Sequence, residues 1–449
     1  MQCPQCNAQL DDRAVFCGNC GKQVAPFQAK GSTVAYKAGP GDDVLPTILT
    51  GGQSSQRSAP QTPASNYIPQ PDTSHRGDIP PLTPSTPPSR KRNTGRIAFI
   101  IVLVLLIIGI ITLGVVALLK NNTTAKNNNP GNTPVASNAT GVVSFSDSQN
   151  GSGHSNAVVV DVRGLTAPPS GSQYNAWIVD TQSEHSFALG TLMPNKDGTY
   201  SVKSATSSHN LLGRGNKVEI TLEQSQVTVP TGQVILSAIF PPNAFVHIKH
   251  LLVSFPNTPG KIGLLVGLID QAQKLSSASQ LLQSIAASGN TAAIQCAAQS
   301  IVDIAEGTQG SNYQPLAGQC ASQNITEVGD GYALLGNGGY ISNGKAHASL
   351  AATQSDTTAS IRVHAGHVAI CLENMRGWIS TIDHDALALL NNPTDTANVQ
   401  EIVTLANHTL NGVDTNGDES IDPVPGEGGA ATAYYHGQLM AALVLAPGS

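Results

Sequence analysis

Residues Ile97–Leu119 read IAFIIVLVLLIIGIITLGVVALL, an unbroken apolar run long enough to cross a hydrocarbon core of about 30 Å as one helix. Arg90, Lys91, Arg92 and Arg96 crowd its N-terminal side, whereas Lys120 and Lys126 are the only charges close beyond its end. The positive-inside bias therefore places the N-terminus in the cytoplasm and residues 121–449 outside. The run begins far from Met1 and exceeds the apolar core of about 7–15 residues that a signal peptide carries, so it is expected to be retained as a membrane span.

The cysteines divide along the same line. Four of the seven lie in the first twenty residues, as CPQC (Cys3, Cys6) and CGNC (Cys17, Cys20). Four thiolates in two knuckles complete a tetrahedral Zn²⁺ shell, and in so short a segment the metal supplies most of the folding free energy. These knuckles, with Phe16 before the second and Gly21 after it, resemble the short zinc-ribbon module of bacterial membrane proteins. Residues 1–24 are thus expected to be a cytoplasmic zinc ribbon that offers a surface to a cytoplasmic protein.

Residues 25–96 are Pro-, Ser- and Thr-rich, with stretches such as PPLTPSTPPS and a basic juxtamembrane end, and read as a disordered tether. An Asn/Thr-rich linker follows the span at 120–141. Charged residues make up only 12% of the chain, the formal net charge is −6 and no long basic stripe is present. This balance excludes nucleic acid as the main partner, because phosphate neutralisation requires clustered Lys and Arg. The expected partners are the lipid bilayer and a protein or envelope ligand outside.

From about Val142 short β-rich runs recur between turn clusters: AVVVDV, YNAWIVD, FALGTLM, KVEITLE and QVILSAI, separated by APPSGSQ, PNKDGTY, GRGN and VPTG. That spacing predicts an antiparallel sandwich or barrel over 142–254. Trp177 alternates with apolar neighbours, a pattern that favours a core position over an exposed recognition anchor. Tyr174-Asn175-Ala176-Trp177-Ile178, Leu189-Gly190, Asp197-Gly198, KVEITLE and Pro230-Thr231-Gly232 resemble the extracytoplasmic C-terminal domain of anti-sigma-K factors. The resemblance implies a sheet domain held outside the membrane. It does not imply sigma sequestration, because a zinc ribbon and tether stand where a sigma-binding helical domain would be.

Residues 255–449 show helical periodicity at 260–288, 291–307, 347–354, 356–390, 397–410 and 429–446, predicting a helical bundle, with an internal loop at 329–344. Cys296 and Cys320 are one admissible disulfide, and Cys371 is an equally legal partner. On the 356–390 helix, Ile361, Ala365, Val368, Leu372, Met375, Ile379 and Ile382 form the packing stripe. Alongside it run His364, His367 and Cys371, followed by Asn374 and Trp378. These two histidines and the thiol are candidate metal ligands, with His347, His408 or His436 on other helices placed to complete a metal or haem shell; the competing reading is hydrogen-bonded histidines at the bundle edge.

Asp414, Asn416, Asp418, Ser420 and Asp422 follow the donor spacing of a Ca²⁺ loop. Glu419 stands in place of the turn glycine, and Pro425 displaces the closing glutamate, leaving Glu427 as its substitute. The competing reading is an acidic solvated turn. No nucleophile elbow, triad or phosphate loop occurs in the sequence. The expectation is a multidomain, single-pass envelope protein that binds, senses or scaffolds and is not an enzyme, with Zn²⁺ inside and Ca²⁺ outside. The alternative is an extracytoplasmic metal- or haem-dependent enzyme or electron carrier using the bundle histidines.

Overall fold

The computed structural model describes residues 138–148, 154–207, 209–224, 227–326 and 329–448. The zinc ribbon, the tether, the apolar run at 97–119 and the linker as far as 137 lie outside the described residues. Among the described residues no helix is long and apolar enough to cross a membrane.

Nine strands form one antiparallel sheet: β1 (Thr140–Ser146), β2 (Ala157–Arg163), β3 (Gln173–Val179), β4 (Ser186–Thr191), β5 (Met193–Pro194), β6 (Tyr200–Ala205), β7 (Lys217–Glu223), β8 (Gln233–Ile239) and β9 (Leu443–Pro447). Their order is β4-β3-β7-β8-β9-β1-β2-β6-β5. The two outermost strands, β4 and β5, are separated in sequence by Leu192 alone. Such a connection forces the sheet to curl until its edges meet, giving a nearly closed barrel. At the seam Gly190 has φ 122°, and a Cβ there would press against Val202 of β6 at 3.3 Å, which accounts for a glycine in the Leu189-Gly190 pair. Inward-facing Val158, Val160 and Val162 alternate along β2 with outward residues.

The Pro230-Thr231-Gly232 turn has an equally specific cause. Glu223 accepts hydrogen bonds from the backbone N–H and hydroxyl of Thr231 and from the Thr221 hydroxyl. A Cβ on Gly232 would lie 2.0 Å from the Leu222 carbonyl oxygen. Thr221 also receives the indole N–H of Trp177 at 2.8 Å. Trp177 is thereby a buried anchor, 1% exposed.

Among the described residues eight α-helices follow β8: α1 (Pro242–Leu252), α2 (Leu264–Ala286), α3 (Thr291–Glu306), α4 (Gln319–Ser322), α5 (Tyr340–Thr353), α6 (Ala359–Asn391), α7 (Val399–Asn411) and α8 (Ala430–Met440). Caps set two of the starts. Asn290 accepts from the Ala293 N–H ahead of α3, and Thr358 from the Ile361 N–H ahead of α6. The α6 stripe is buried throughout, from Ile361 to Ile382. Cys296 of α3 is joined to Cys320 of α4 and Cys371 is a free, buried thiol. The bridge closes a 24-residue separation, so Cys320→Ser is expected to lower stability by about 3 kcal/mol in denaturant unfolding.

Three sequence expectations change. The 142–254 region, expected as a sheet domain, also holds a helix, α1, which begins at Pro242, proline at the first helical position being a start signal. Helix α5 begins inside the expected 329–344 loop, at Tyr340, whose hydroxyl donates to Asp330 at 2.6 Å. The segment expected as a helix over 429–446 ends at Met440, and residues 443–447 return as β9 between β8 and β1. The 142–254 and 255–449 regions therefore share one sheet, and their apolar side chains form a single continuous core.

Candidate metal centres

Helix α1 buries Phe245, Ile248, Leu251 and Leu252 against the core. At 100° per residue this places His247 and His250 together on a neighbouring stripe. His347 of α5 faces them. Its Nδ1 lies 3.1 Å from Nδ1 of His247 and 3.3 Å from Nδ1 of His250. Phe255 packs edge-on to His250 and His347, and the Gln354 amide reaches Nε2 of His247 at 3.2 Å.

The second group has the same construction. His364 and His367, one turn apart on α6, face His436 of α8 with Nδ1–Nδ1 separations of 3.0 and 3.3 Å. Helix α8 is held by Asp147 at the end of β1, which accepts from the Tyr434 hydroxyl and the Gln438 amide at 2.7 and 2.9 Å. Gly437 lets α8 approach Leu265 of α2, since a Cβ there would be 2.6 Å from that side chain.

In each group the three ligand atoms lie within 4.8 Å of one another, and the donors are histidines alone. Burial, reinforced by neighbouring imidazoles, pushes His436 down to about 3 and His347 and His364 to about 4. His247, His250 and His367 are lowered as well, chiefly by burial. Six neutral imidazoles at pH 7 thus form two clusters in which three Nδ1 atoms converge. Two protons at most satisfy such a triplet by hydrogen bonds, whereas a cation engages all three lone pairs.

The structure brings His364 and His367 together with His436, as the helix face allowed, but Cys371 stands apart. Its thiol is fully buried, packed where a Cβ on Gly428 would come within 2.4 Å, and pushed up to about 12 by desolvation. It is a packing group rather than a ligand. His408 instead packs edge-on against Trp378. His247 and His250 escape the sequence reading; the signal that finds them is the His-x-x-His spacing within an apolar i, i+3 pattern.

The carboxylates and amides of the acidic loop are turned onto the loop itself. Asp414 accepts from the Gly417 and Glu419 N–H groups at 2.6 and 2.8 Å, Asn416 from Asp418 and Asp418 from Ser420. Glu427 takes the Thr415 hydroxyl and the Asp422 N–H, and Ser420 donates to Asp422. The oxygens are spent on the loop's own amides and hydroxyls, and among the described residues these carboxylates do not gather into a metal-holding group. The Ca²⁺ expectation is accordingly unsupported.

Residues 2–24 match a zinc-ribbon domain family, covering Cys3, Cys6, Cys17 and Cys20. Residues 98–234 match the family described as "Anti-sigma-K factor rskA, C-terminal", from within the apolar run into β8. No curated protein and no solved structure matches the chain.

Proposed function

We propose that this chain is a membrane-anchored regulatory protein, with a zinc ribbon on the cytoplasmic side, one span at 97–119 and the barrel with its helices outside as a binding or sensing unit. The observation that carries this reading is the anti-sigma-K match, which runs without a break from the apolar segment into the sheet. The zinc-ribbon match on the other side of the basic cluster supports the same arrangement. In place of sigma sequestration, the ribbon offers a small metal-stabilised surface to a cytoplasmic partner.

Protease added to intact cells is expected to degrade the region from 138 to 448 and spare an epitope fused before Met1. The opposite protection pattern would overturn the topology. The alternative of an extracytoplasmic metal- or haem-dependent enzyme or electron carrier draws on the two histidine groups. Stoichiometric haem, or redox-active iron or copper, in the purified chain would favour it over the regulatory reading.

A further inference from the structure

We propose that His247, His250 and His347, and separately His364, His367 and His436, are two binding sites for divalent first-row transition ions, each holding one ion through three Nδ1 atoms. The inference rests on the histidine geometry and is independent of the topology above.

A zinc ion binds imidazole nitrogen at roughly 2.0–2.1 Å, so two ligands at a tetrahedral centre stand roughly 3.3 Å apart. The four separations between the facing histidines, 3.1 and 3.3 Å in one group and 3.0 and 3.3 Å in the other, fall close to that edge. Three imidazoles held only by hydrogen bonds have no reason to turn the same nitrogen toward a common point. Here both groups do so. Both also have the same design, a His-x-x-His pair on one helix and a single histidine on the helix packed against it.

The donor set defines the ion. Neutral imidazoles suit zinc, copper, nickel, cobalt and ferrous iron, while magnesium and calcium require oxygen donors that neither group contains. With no thiolate, neither site is built to favour Cu(I). Three neutral ligands leave the full dipositive charge and a fourth position for water or an anionic group. Around the first site, Gln354 on the outer nitrogen of His247 is placed to orient the ring.

The sites also have a defined place in the fold. Helix α1 follows directly from β8, and α8 leads directly into β9. An ion at the first site ties α1 to α5, and one at the second ties α8 to α6. The two strands that meet in the sheet, β8 and β9, are thereby each continuous with a helix that a metal ion fastens to the bundle.

The test uses the full-length chain in detergent, stripped with chelator and dialysed against Zn²⁺, with metal counted by elemental analysis. Three equivalents are expected, one in the ribbon and two in the histidine sites. Cys17→Ser should remove only the ribbon equivalent; His347→Gln and His436→Gln should each remove one more, and the double histidine variant both. A double variant that keeps its full complement would overturn the proposal. Because a histidine variant that misfolds would also lose metal, X-ray absorption on the otherwise intact Cys17→Ser chain supplies an independent readout. About three imidazole nitrogens per zinc at roughly 2.0–2.1 Å are expected. A shell of water oxygens, or no retained zinc, would overturn it.

Discussion

Ending the chain after Ala442 is expected to abolish cooperative unfolding of the whole unit from 138 to 448. Strand β9 lies between β8 and β1, pairing Gly141–Val143 with Leu443–Leu445 and Leu236–Ser237 with Ala446–Pro447. Its loss removes Leu445, fully buried beneath Gly141, and Leu443, 7% exposed. It also strips the Thr140 hydroxyl of its acceptor and the Ile235 carbonyl of its donor, the Gly448 N–H. Burying two leucines contributes about 1.5–3 kcal/mol each, and leaving a buried or partly buried polar group without its partner costs up to about 1–3 kcal/mol. Together these approach the whole stability of a typical domain, about 5–15 kcal/mol. Leu445→Ala, a milder lesion, should cost about 2–5 kcal/mol, whereas Val444→Ala, at a position 70% exposed, should change stability by less than about 0.5 kcal/mol. Urea unfolding followed by circular dichroism checks all three. A truncated chain that melts as the intact one does would show that the barrel needs no ninth strand.

Acidifying the metal-free chain from pH 6.5 towards 4 is expected to withdraw several kcal/mol of stability. His436, His347 and His364 have folded values of about 3, 4 and 4, all below the ordinary 6.5. In that window the unfolded chain binds more protons than the folded one, so stability rises with pH and falls on acidification. Each unit is worth about 1.4 kcal/mol at full effect, discounted here because the rings are only partly buried and share their protons. Asp383, raised to about 6 chiefly by burial, opposes the trend, as do Asp270 and Asp161, also raised by burial. Glu223, lowered by its hydrogen bonds against the effect of burial, loses its contribution at lower pH, below its ordinary value of 4.5. Replacing His347 and His436 with Gln should flatten the dependence between pH 6.5 and 4.5. An unchanged slope in the double variant would show that these rings do not control acid stability.

Much of the architecture is legible in local pattern. Period-two alternation places five strand runs within two residues of the observed bounds, KVEITLE and QVILSAI matching β7 and β8 residue for residue, and the α6 stripe follows from 4-3 spacing that needs no knowledge of its neighbours. The zinc ribbon and anti-sigma-K resemblances are likewise carried by short, contiguous strings, and the family matches fall on them. Cysteine pairing is different. Spacing admits either Cys320 or Cys371 as partner to Cys296, and only the tertiary structure, which pairs Cys320 and packs Cys371 beside Gly428, removes the second.

The Ca²⁺ reading finds no support because donor spacing describes which oxygens are present and not what they accept. In the folded loop Asp414 accepts two backbone N–H groups, oxygens that the donor spacing counts as free for an ion. Helix α1 lies in the region expected as sheet, and with it the first histidine pair goes unread.

What the sequence by itself determined is therefore local: the alternation of the strands, the apolar stripe of α6, the Cys-x-x-Cys knuckles and the segment able to span a bilayer. The tertiary structure alone decided which distant pieces meet. ALVLA is apolar enough for a helix, yet it extends because β1 and β8 present unpaired backbone groups, and Thr140 finds its acceptor at Leu445, 305 residues away. His436 joins His364 and His367 rather than another histidine because α8, held by Asp147, packs on α6, while the similarly spaced pair on α1 takes His347. Periodicity assigns a side chain to a face of its own helix. The partner across that face depends on long-range packing, which no local pattern encodes.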